Sequence, residues 1–409
     1  MKKYNNYFLM NNEDTIDFVF NKNMGFKDRL KMECSEIGDG YLNYIFRIEE
    51  KGTSNIVILK QATKTGRFKE TSVNVGLERN YLEYESHKYI NAKVPGFAPE
   101  VYFYDETMAC FGMEDLTGYE VLRNALVDYK QYYLLSDLIT TYFAKCLLHS
   151  TDLVSNYEEK CNVTKKFSNK LIELHKALVL SEPFDNSMKR NVVPLGLENF
   201  VEKNVYNNQQ LLYEALKLRI NFLSNSQALL HGDLHSGSIM INADGIKLID
   251  NEFAFMGPIG FEIGTFVGSM FLAWTHAKVT LKNKSEYNDF RKWIEKVIIE
   301  IWELFVEKFK KCFFEIVVEP RALKSDFFEF YLASIFRDTI GYTGVELIRR
   351  TIGAAQIKDL LSIQDINQRK KAVKLNITLG NELILNGQKS CRPWKEMVLD
   401  IRNIIENFS

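Results

Sequence analysis

The sequence has few of the features that mark secreted, membrane-spanning or nucleic-acid-binding proteins. Its six cysteines are scattered, without the Cys-x-x-Cys pairs or the clustering that a disulfide framework or a zinc site needs. The first fifteen residues contain two lysines but no apolar segment typical of a signal peptide. The net charge of −1 provides no basic field for nucleic acid or anionic membranes. We therefore expect a cytoplasmic protein with reduced, mostly buried thiols and neither nucleic-acid nor membrane partners.

Long apolar runs and internal repeats are also absent. The longest weakly polar run covers the twelve residues 263–274, which is too short to cross a bilayer and predicts a buried helix. Hydrophobic residues make up 46% of the chain and charged residues 26%, as in ordinary folded proteins. Because 409 residues exceed what one compact core usually holds, two lobes are expected.

The composition and the pattern of apolar residues change across residues 112–118. Before this change, the spacing predicts a strand hairpin, a helix and two further strands, at 41–49 with 56–59, 76–91, 101–104 and 110–113. After it, amphipathic helices such as 132–150 and 209–223 dominate, interrupted by a short hairpin at 239–250. The sequence thus predicts an α+β, bilobal protein-kinase-like fold. A small β-rich N-lobe would cover residues 1–113, a hinge 114–118, and a large, mainly helical C-lobe 119–409.

Two acidic sites seventeen residues apart carry the strongest functional signal. Asp233 follows His231-Gly232, and Asp250 and Glu252 follow the predicted hairpin, whose strands return the chain to the same place. Phosphoryl transfer needs one carboxylate to orient and deprotonate the attacking hydroxyl, and others to hold the Mg²⁺ that bridges the nucleotide phosphates. We assign Asp233 to the first, catalytic role and Asp250 with Glu252 to the metal. The alternative is a loop acid and a solvated strand end, just as Asp244-Gly245 is interpreted as a simple turn.

These residues also carry a family resemblance. The stretch HGDLHSGSI, followed by IDNEFAF-x-GP-x-GF-x-IG, resembles the S-methyl-5-thioribose kinases, which are grouped with choline kinases and aminoglycoside phosphotransferases. The resemblance implies MgATP as donor, the 1-hydroxyl of methylthioribose as acceptor in methionine salvage, and a homodimer. Ser238 matches the family at a position where other kinases keep a metal-binding asparagine. Two residues depart from the family pattern: Asn251, usually proline, and Glu262, usually aspartate.

A Gly-Asp-Gly segment before the first clear strand is a candidate phosphate-covering loop. It comprises Gly38, Asp39 and Gly40, with Asn43 following, and it resembles the family's GDG-x-LN loop. By itself Gly-Asp-Gly is also a common turn. Its position before a strand whose hairpin partner ends in Lys60 favours ATP binding.

Lys60 is predicted to end an apolar strand and to contact the α- and β-phosphates of ATP, steadied by a glutamate of the next helix. Two glutamates, Glu78 and Glu83, lie on that helix but point about 140° apart, so at most one faces Lys60, and Glu83 is preferred. The hinge is predicted to bind adenine through Met113, Glu114 and Leu116. The alternative is that this segment is only a solvent-exposed connection between the lobes and binds no ligand.

Arg349 and Arg350 are candidate acceptor-binding residues in one predicted helix, or two short ones, over 337–353. Consecutive arginines are ordinarily a solvated helix face. The family, however, places a twin arginine in a matching E-x-IRR-TIG stretch at the sugar site, so the resemblance implies that Arg349, Arg350 and Asp233 bind the substrate. A cation pair also disfavours a choline pocket, which prefers acids and aromatic faces.

Three functions stay open at this level: a methylthioribose-type sugar kinase, a related kinase for an amine-bearing acceptor such as choline or an aminoglycoside, and an inactive kinase fold that serves as a binding module. The intact set Lys60, Asp233, Asp250 and Glu252 disfavours the third. The sequence does not distinguish methylthioribose from 5-deoxyribose as the substrate, because no motif of fixed residue spacing marks an apolar pocket for the 5-substituent. The role of His235, two residues after Asp233, is also open.

Overall fold

The computed structural model describes residues 2–38, 43–64, 75–168, 170–324, 326–389 and 392–408. Backbone contacts divide the chain into two compact units. The first comprises Met1–Tyr119, Asn169–Leu171 and Lys247–Ala254, and the second comprises Glu120–Ser168, Ile172–Ile246 and Phe255–Ser409. This division differs from the prediction that residues 119–409 form one lobe. The segment Lys247–Ala254 groups with the first unit, where its Asp250 and Glu252 bond to Lys60 and Arg79.

One antiparallel sheet forms the centre of the first unit. The elements of this unit, in chain order, are α1 (Asn12–Phe20), β1 (Met32–Glu36), β2 (Asn43–Glu50), β3 (Ile56–Ala62), α2 (Arg79–Lys93), β4 (Val101–Asp105) and β5 (Cys110–Met113). The strand order is β1-β2-β3-β5-β4. Since β3 lies between β2 and β5, it is buried along nearly its whole length, which explains its continuous apolar run.

Lys60 lies within β3, so the prediction that it ends the strand is wrong. The strand continues because Gln61 and Ala62 still pair with β2 and are buried. The predicted helix 76–91 begins later, at Arg79, with Glu78 as its N-cap residue. Lys60 therefore sits in the middle of a rigid strand pair, where its long side chain is 2% exposed.

Helices dominate the second unit, which confirms the predicted α+β class. Its strands are short: β6 (Glu120–Val121), β7 (Ala228–Leu230), β8 (Ile239–Ile241), β9 (Ile246–Leu248, which crosses into the first unit) and β10 (Phe255–Gly257). Strand β6 pairs with β8, and β7 pairs with β10. Its helices are α3 (Leu122–Val127), α4 (Leu135–Tyr142), α5 (Tyr157–Lys166), α6 (Leu171–Leu180), α7 (Glu198–Val201), α8 (Gln209–Ser224), α9 (Ile259–Thr280), α10 (Lys284–Ile316), α11 (Phe327–Ile352), α12 (Lys358–Leu361), α13 (Ile366–Leu385) and α14 (Trp394–Asn407).

The core of the second unit is α9. Residues Ile259–Ala277 are all buried, as expected of a helix that is apolar all round, and the predicted buried helix 263–274 is confirmed. At Gly264 the backbones of α9 and α11 touch, because a Cβ there would lie 2.7 Å from the carbonyl oxygen of Thr339 and 2.9 Å from the nitrogen of Thr343. Helix α11 is continuous, and this close packing positions its last turn, which carries Arg349 and Arg350.

No helix in the described part of the chain is long and apolar enough to span a membrane. The five cysteines described there are free thiols. Cys110 and Cys146 are buried, whereas Cys161 is exposed, so the expected burial of the thiols holds only in part. Cys391 lies outside the described residues.

Candidate active site

In the first unit, Lys60 lies between two carboxylates. Its Nζ is 2.7 Å from Oε1 of Glu83 and 2.5 Å from Oδ1 of Asp250, and the Asp250 backbone N–H donates to the same Glu83 oxygen at 3.1 Å. Burial alone would lower the pKa of Lys60, but the negative charges of Asp250, Glu83 and Glu252 raise it above its ordinary value. The Lys60 side chain therefore stays protonated and positively charged. It pairs with Glu83 and not with Glu78, whose carboxylate lies against Gly76.

Asp250 and Glu252 belong to one tight turn. Asp250 adopts a left-handed backbone conformation (φ +63°), and its side chain is 47% exposed. Glu252 is buried, and its Oε2 accepts hydrogen bonds from Nε of Arg79 at 3.0 Å and from Nδ2 of Asn43 at 3.3 Å. The turn thus presents one accessible carboxylate and one that is held firmly by its neighbours.

Arg79 is a site residue that the sequence reasoning missed. It is fully buried at the start of α2, and besides Glu252 it donates to Oδ1 of Asn43 at 2.9 Å and to the carbonyl of Thr63 at 3.1 Å. An arginine at a helix start carries no motif that would have singled it out. The side chain of Asn43, predicted as part of the ATP loop, is likewise used to hold Glu252.

The two carboxylates fit Mg²⁺. The described residues contain no group of three or more His, Cys, Asp or Glu that could hold a metal ion, which excludes an all-protein cage among them. Mg²⁺ is commonly held by one or two carboxylates together with water and phosphate oxygens. The carboxylate of Asp250 is partly exposed, and that of Glu252 is held in place by Arg79. This pair of carboxylates matches the protein ligands of a nucleotide-bound Mg²⁺.

The other predicted ATP-binding residues are placed as follows. Asp39 and Gly40 lie outside the described residues, while Gly38 has φ +80°, a conformation suited to glycine. Met113 is buried at the end of β5. The N–H of Glu114 donates to the carbonyl of Glu100 at 2.8 Å, and the carbonyl of Leu116 accepts from the N–H of Tyr119 at 3.0 Å. The nucleotide roles of these residues stay predictions.

In the second unit, the loop that carries Asp233 is anchored to α9 by Glu262. One carboxylate oxygen of this fully buried residue accepts from the N–H of His231 at 2.7 Å and from the hydroxyl of Tyr142 at 2.8 Å. The other oxygen accepts from the N–H of Gly232 at 3.1 Å. Two backbone donors immediately before Asp233 are thereby fixed to the central helix.

The twin arginine converges on Asp233. Nη2 of Arg349 bonds to Oδ1 of Asp233, and Nη2 of Arg350 lies 3.1 and 3.3 Å from its two oxygens. Glu346, one turn earlier on α11, pairs with both arginines, which are 6% and 7% exposed. The alternative of a solvated helix face is therefore wrong: the arginines are buried and face a carboxylate.

The charges around Asp233 determine its protonation. Burial by itself would raise the pKa of Asp233, but Arg349, Arg350 and His235 lower it well below its ordinary value. Nε2 of His235 lies 3.2 Å from Oδ2 of Asp233. Burial and the charge of Arg350 in turn lower the pKa of His235 well below its ordinary value. Asp233 is thus ionised and His235 neutral at physiological pH.

Comparison with known proteins identifies the family. No protein-family model matches the chain. It is 35% identical over 361 residues to a methylthioribose kinase from Geobacillus sp. (strain WCH70), and the match covers 88% of each chain. The chain belongs to the methylthioribose kinase family. A methylthioribose kinase from Escherichia coli O45:K1 (strain S88 / ExPEC) is 31% identical over 373 residues, covering 87% of this chain and 88% of the relative.

The solved structures show the fold of this methylthioribose kinase family member. A choline kinase from Cryptosporidium parvum superposes with a TM-score of 0.51 at 13% identity, covering 94% of this chain and 99% of that one. This likeness confirms the predicted kinase-like fold with a strand-rich N-terminal region. Together with the family membership, it also confirms the enzyme class predicted from the sequence, an ATP-dependent small-molecule kinase.

Two departures from the family's sequence pattern have local structural roles. Asn251, where proline is usual, donates from Nδ2 to Oγ of Ser86 at 3.0 Å and so ties the Asp250–Glu252 turn to α2. Glu262, where aspartate is usual, reaches both backbone donors of the Asp233 loop. Ser238, which matches the family's sequence pattern, donates from Oγ to the carbonyl of Asp233 at 3.0 Å. All three side chains therefore stabilise the site loops.

Proposed function

We propose that this member of the methylthioribose kinase family transfers the γ-phosphoryl group of MgATP to the 1-hydroxyl of S-methyl-5-thioribose, in methionine salvage. The observation that carries the proposal is the convergence of Arg349 and Arg350 on Asp233. A carboxylate beside two fixed guanidinium groups suits a polyhydroxylated acceptor, because it accepts from one hydroxyl while the guanidinium groups donate to others. The sequence relatives, named methylthioribose kinases, support this choice of acceptor.

Asp233 is proposed to orient the acceptor hydroxyl and to receive its proton as the new oxygen–phosphorus bond forms and the bond to ADP breaks. Its lowered pKa makes it a weak base. That is sufficient, because the loose transition state of phosphoryl transfer places little demand on proton removal before the bond to ADP has largely broken. Orientation of the hydroxyl is then the larger contribution of Asp233, and the contacts from Arg349, Arg350 and His235 hold its carboxylate for that purpose.

The residues of the first unit are proposed to hold the nucleotide. Lys60, kept in place by Glu83, contacts phosphate oxygens, and Asp250 with Glu252 holds Mg²⁺, which neutralises phosphate charge when bound. The loop of Gly38, Asp39, Gly40 and Asn43 covers the phosphates. The hinge residues Met113, Glu114 and Leu116 bind adenine.

The acceptor is tested by measuring ADP release with MgATP and a panel of acceptors: methylthioribose, 5-deoxyribose, ribose, choline and kanamycin. We expect turnover with methylthioribose and with 5-deoxyribose, since both lack a charged group and share the 1-hydroxyl. Choline and kanamycin are cations, which the twin arginine repels. Turnover with choline or kanamycin, without turnover of the two 5-deoxy sugars, would assign the enzyme to the amine-acceptor kinases instead.

The role of Asp233 is tested by Asp233→Asn, which keeps the size of the side chain but removes its charge and its basicity. We expect kcat to fall by roughly two or more orders of magnitude. The matched control is Asp244→Asn, an exposed residue in the turn between β8 and β9, where kcat should be unchanged. An unchanged kcat in Asp233→Asn would remove this residue from the mechanism.

We also propose that the enzyme is cytoplasmic, as its scattered cysteines suggest, and that it works as a homodimer, as the resemblance to the family implies. Sedimentation velocity over a range of protein concentrations measures the assembly directly. A single species of monomer mass at micromolar concentration would contradict the dimer.

A further inference from the structure

His235 receives two hydrogen bonds on one ring nitrogen. Nη2 of Arg123 lies 2.9 Å from Nδ1 of His235, and the backbone N–H of Gly237 donates to the same nitrogen at 2.9 Å. Neither an arginine nor a backbone N–H can accept a hydrogen bond. The hydroxyl oxygen of Ser238 also lies near Nδ1, but at 3.5 Å, the limit of hydrogen-bond distance, and its own hydrogen is donated to the Asp233 carbonyl at 3.0 Å. The two closer donors make Nδ1 the unprotonated nitrogen of the ring, and Nε2 carries the proton that faces Oδ2 of Asp233 at 3.2 Å.

The local fold places Arg123 beside the His235 ring. The pairing of β6 with β8 brings the start of α3 beside the loop 231–238, and α3 packs against that loop. The absence of a side chain at Gly237 makes room for the guanidinium group, because a Cβ there would lie 2.5 Å from Nη1 of Arg123 and 2.8 Å from the His235 ring. Glycine at this position of the HGDLHSGS motif is thus explained by Arg123.

Asp359 supports Arg123 from the opposite side. Its Oδ2 lies 3.5 Å from Nε of Arg123, its carboxylate is buried at the start of α12, and its backbone carbonyl contacts Nδ1 of His276 at 2.7 Å. The charged groups that act on His235 itself are Arg123, Arg350 and Asp233. A second proton on the ring would make it a third cation beside Arg123 and Arg350, so His235 stays neutral and carries one proton.

We propose that Arg123 is a positioning residue that acts through His235 on Asp233. Together with the N–H of Gly237, it holds the imidazole as the Nε2–H tautomer, so that His235 donates to the Asp233 carboxylate and fixes its orientation. This proposal deepens the phosphotransferase function proposed above and rests on it for its catalytic consequence. The tautomer itself is a property of the folded protein without any substrate.

The tautomer is measured first, in protein labelled with nitrogen-15 at its six histidines. A two-bond proton–nitrogen correlation spectrum distinguishes protonated from unprotonated ring nitrogens, and the His235 signals are those lost in His235→Gln. We expect an unprotonated Nδ1 and a protonated Nε2 in the parent protein. A protonated Nδ1 would overturn the proposal, whichever acceptor the enzyme uses.

The perturbed protein is Arg123→Met combined with Asp359→Asn, which removes one positive and one negative charge and leaves no buried charge unpaired. We expect a population of the Nδ1–H tautomer to appear and kcat to fall roughly tenfold, with the KM for MgATP unchanged, an order-of-magnitude figure for coupled neighbours. If this variant does not fold, Arg123→Lys replaces it. A single ammonium keeps the charge but cannot serve Asp359 and His235 together as the planar guanidinium does.

A double-mutant cycle tests whether Arg123 acts through His235. The amide nitrogen of His235→Gln can donate near the Nε2 position and has no tautomer to be selected. In the His235→Gln background, loss of Arg123 and Asp359 should therefore change kcat by less than about twofold. The same tenfold loss in both backgrounds would refute the proposal, because Arg123 would then act independently of His235.

The matched control for loss of an arginine is Arg291→Met. Arg291 is 18% exposed, close to the 16% of Arg123, and it also pairs with a buried carboxylate, that of Glu295. It contacts no residue of the Asp233 cluster. We expect its kcat and its His235 spectrum to match those of the parent protein, and a change as large as that of the Arg123 variant would show that the effect is not specific to Arg123.

Discussion

Replacement of Glu262 by glutamine is the most direct test of how the loop that carries Asp233 is held. The carboxylate of Glu262 accepts three hydrogen bonds, from the N–H groups of His231 and Gly232 and from the hydroxyl of Tyr142. Glutamine has nearly the same shape but only one acceptor oxygen. If that oxygen serves His231 and Tyr142, the amide NH₂ faces the N–H of Gly232, and two donors are left facing each other inside the protein.

The expected magnitude follows from these contacts. A buried donor left without a partner costs about 1–3 kcal/mol. Because a neutral amide costs less free energy to bury than a carboxylate, the substitution offsets part of that loss of stability. We therefore expect Glu262→Gln to lower the free energy of unfolding by about 2 kcal/mol. Because the unpaired N–H belongs to the residue before Asp233, a small shift of this carboxylate should lower kcat by roughly 10- to 100-fold.

The assay combines urea unfolding, followed by circular dichroism, with steady-state kinetics at saturating MgATP and acceptor. The control is Glu214→Gln. Glu214 is 2% exposed, but the side chains of its partners Lys217 and Lys389 are more than half exposed. Water can therefore solvate their ammonium groups when the carboxylate is removed. The stability of the Glu214→Gln variant should change by less than about 1 kcal/mol and its kcat not at all. If Glu262→Gln were indistinguishable from this control in both measurements, the anchoring role of Glu262 would be wrong.

Three further predictions concern charge, packing and metal. Since the folded-state pKa of Asp233 lies below the value of about 3.9 expected in an unfolded chain, the parent kcat should be flat as the pH falls from 8 to about 5. Arg349→Met raises that pKa, so kcat should begin to fall at a higher pH, and an unshifted pH profile would refute the electrostatic role of Arg349. Gly264→Ala forces a methyl group against the Thr339 carbonyl and should lower the unfolding free energy by about 1–3 kcal/mol in urea titrations; unchanged stability would contradict the close helix contact. Glu252→Gln should raise the Mg²⁺ concentration for half-maximal velocity roughly tenfold, and an unchanged value would remove Glu252 from the metal site.

The candidate acidic residues could be identified in the sequence because they lie in short, local motifs. His231 to Asp233 and Asp250 to Glu252 are separated by one hairpin, and short-range spacing is what a sequence displays directly. The Lys60 partner was a weaker prediction, since Glu78 and Glu83 differed only in their angle on a helix. The structure pairs Lys60 with Glu83 because α2 begins at Arg79, which leaves Glu78 at the N-cap.

By itself, the sequence determined the fold class, the kinase motifs and the identity of the candidate acidic residues, because periodicity and local spacing encode them. Only the tertiary structure decided what surrounds those residues. Arg79, Arg123 and Asp359 lie about a hundred or more residues from the carboxylates and the histidine they support, and a buried arginine has no signature in a linear sequence. The burial of Arg349 and Arg350 against Asp233 likewise depends on the glycine contact between α9 and α11, since it is helix packing that places the end of α11 beside the loop that carries Asp233.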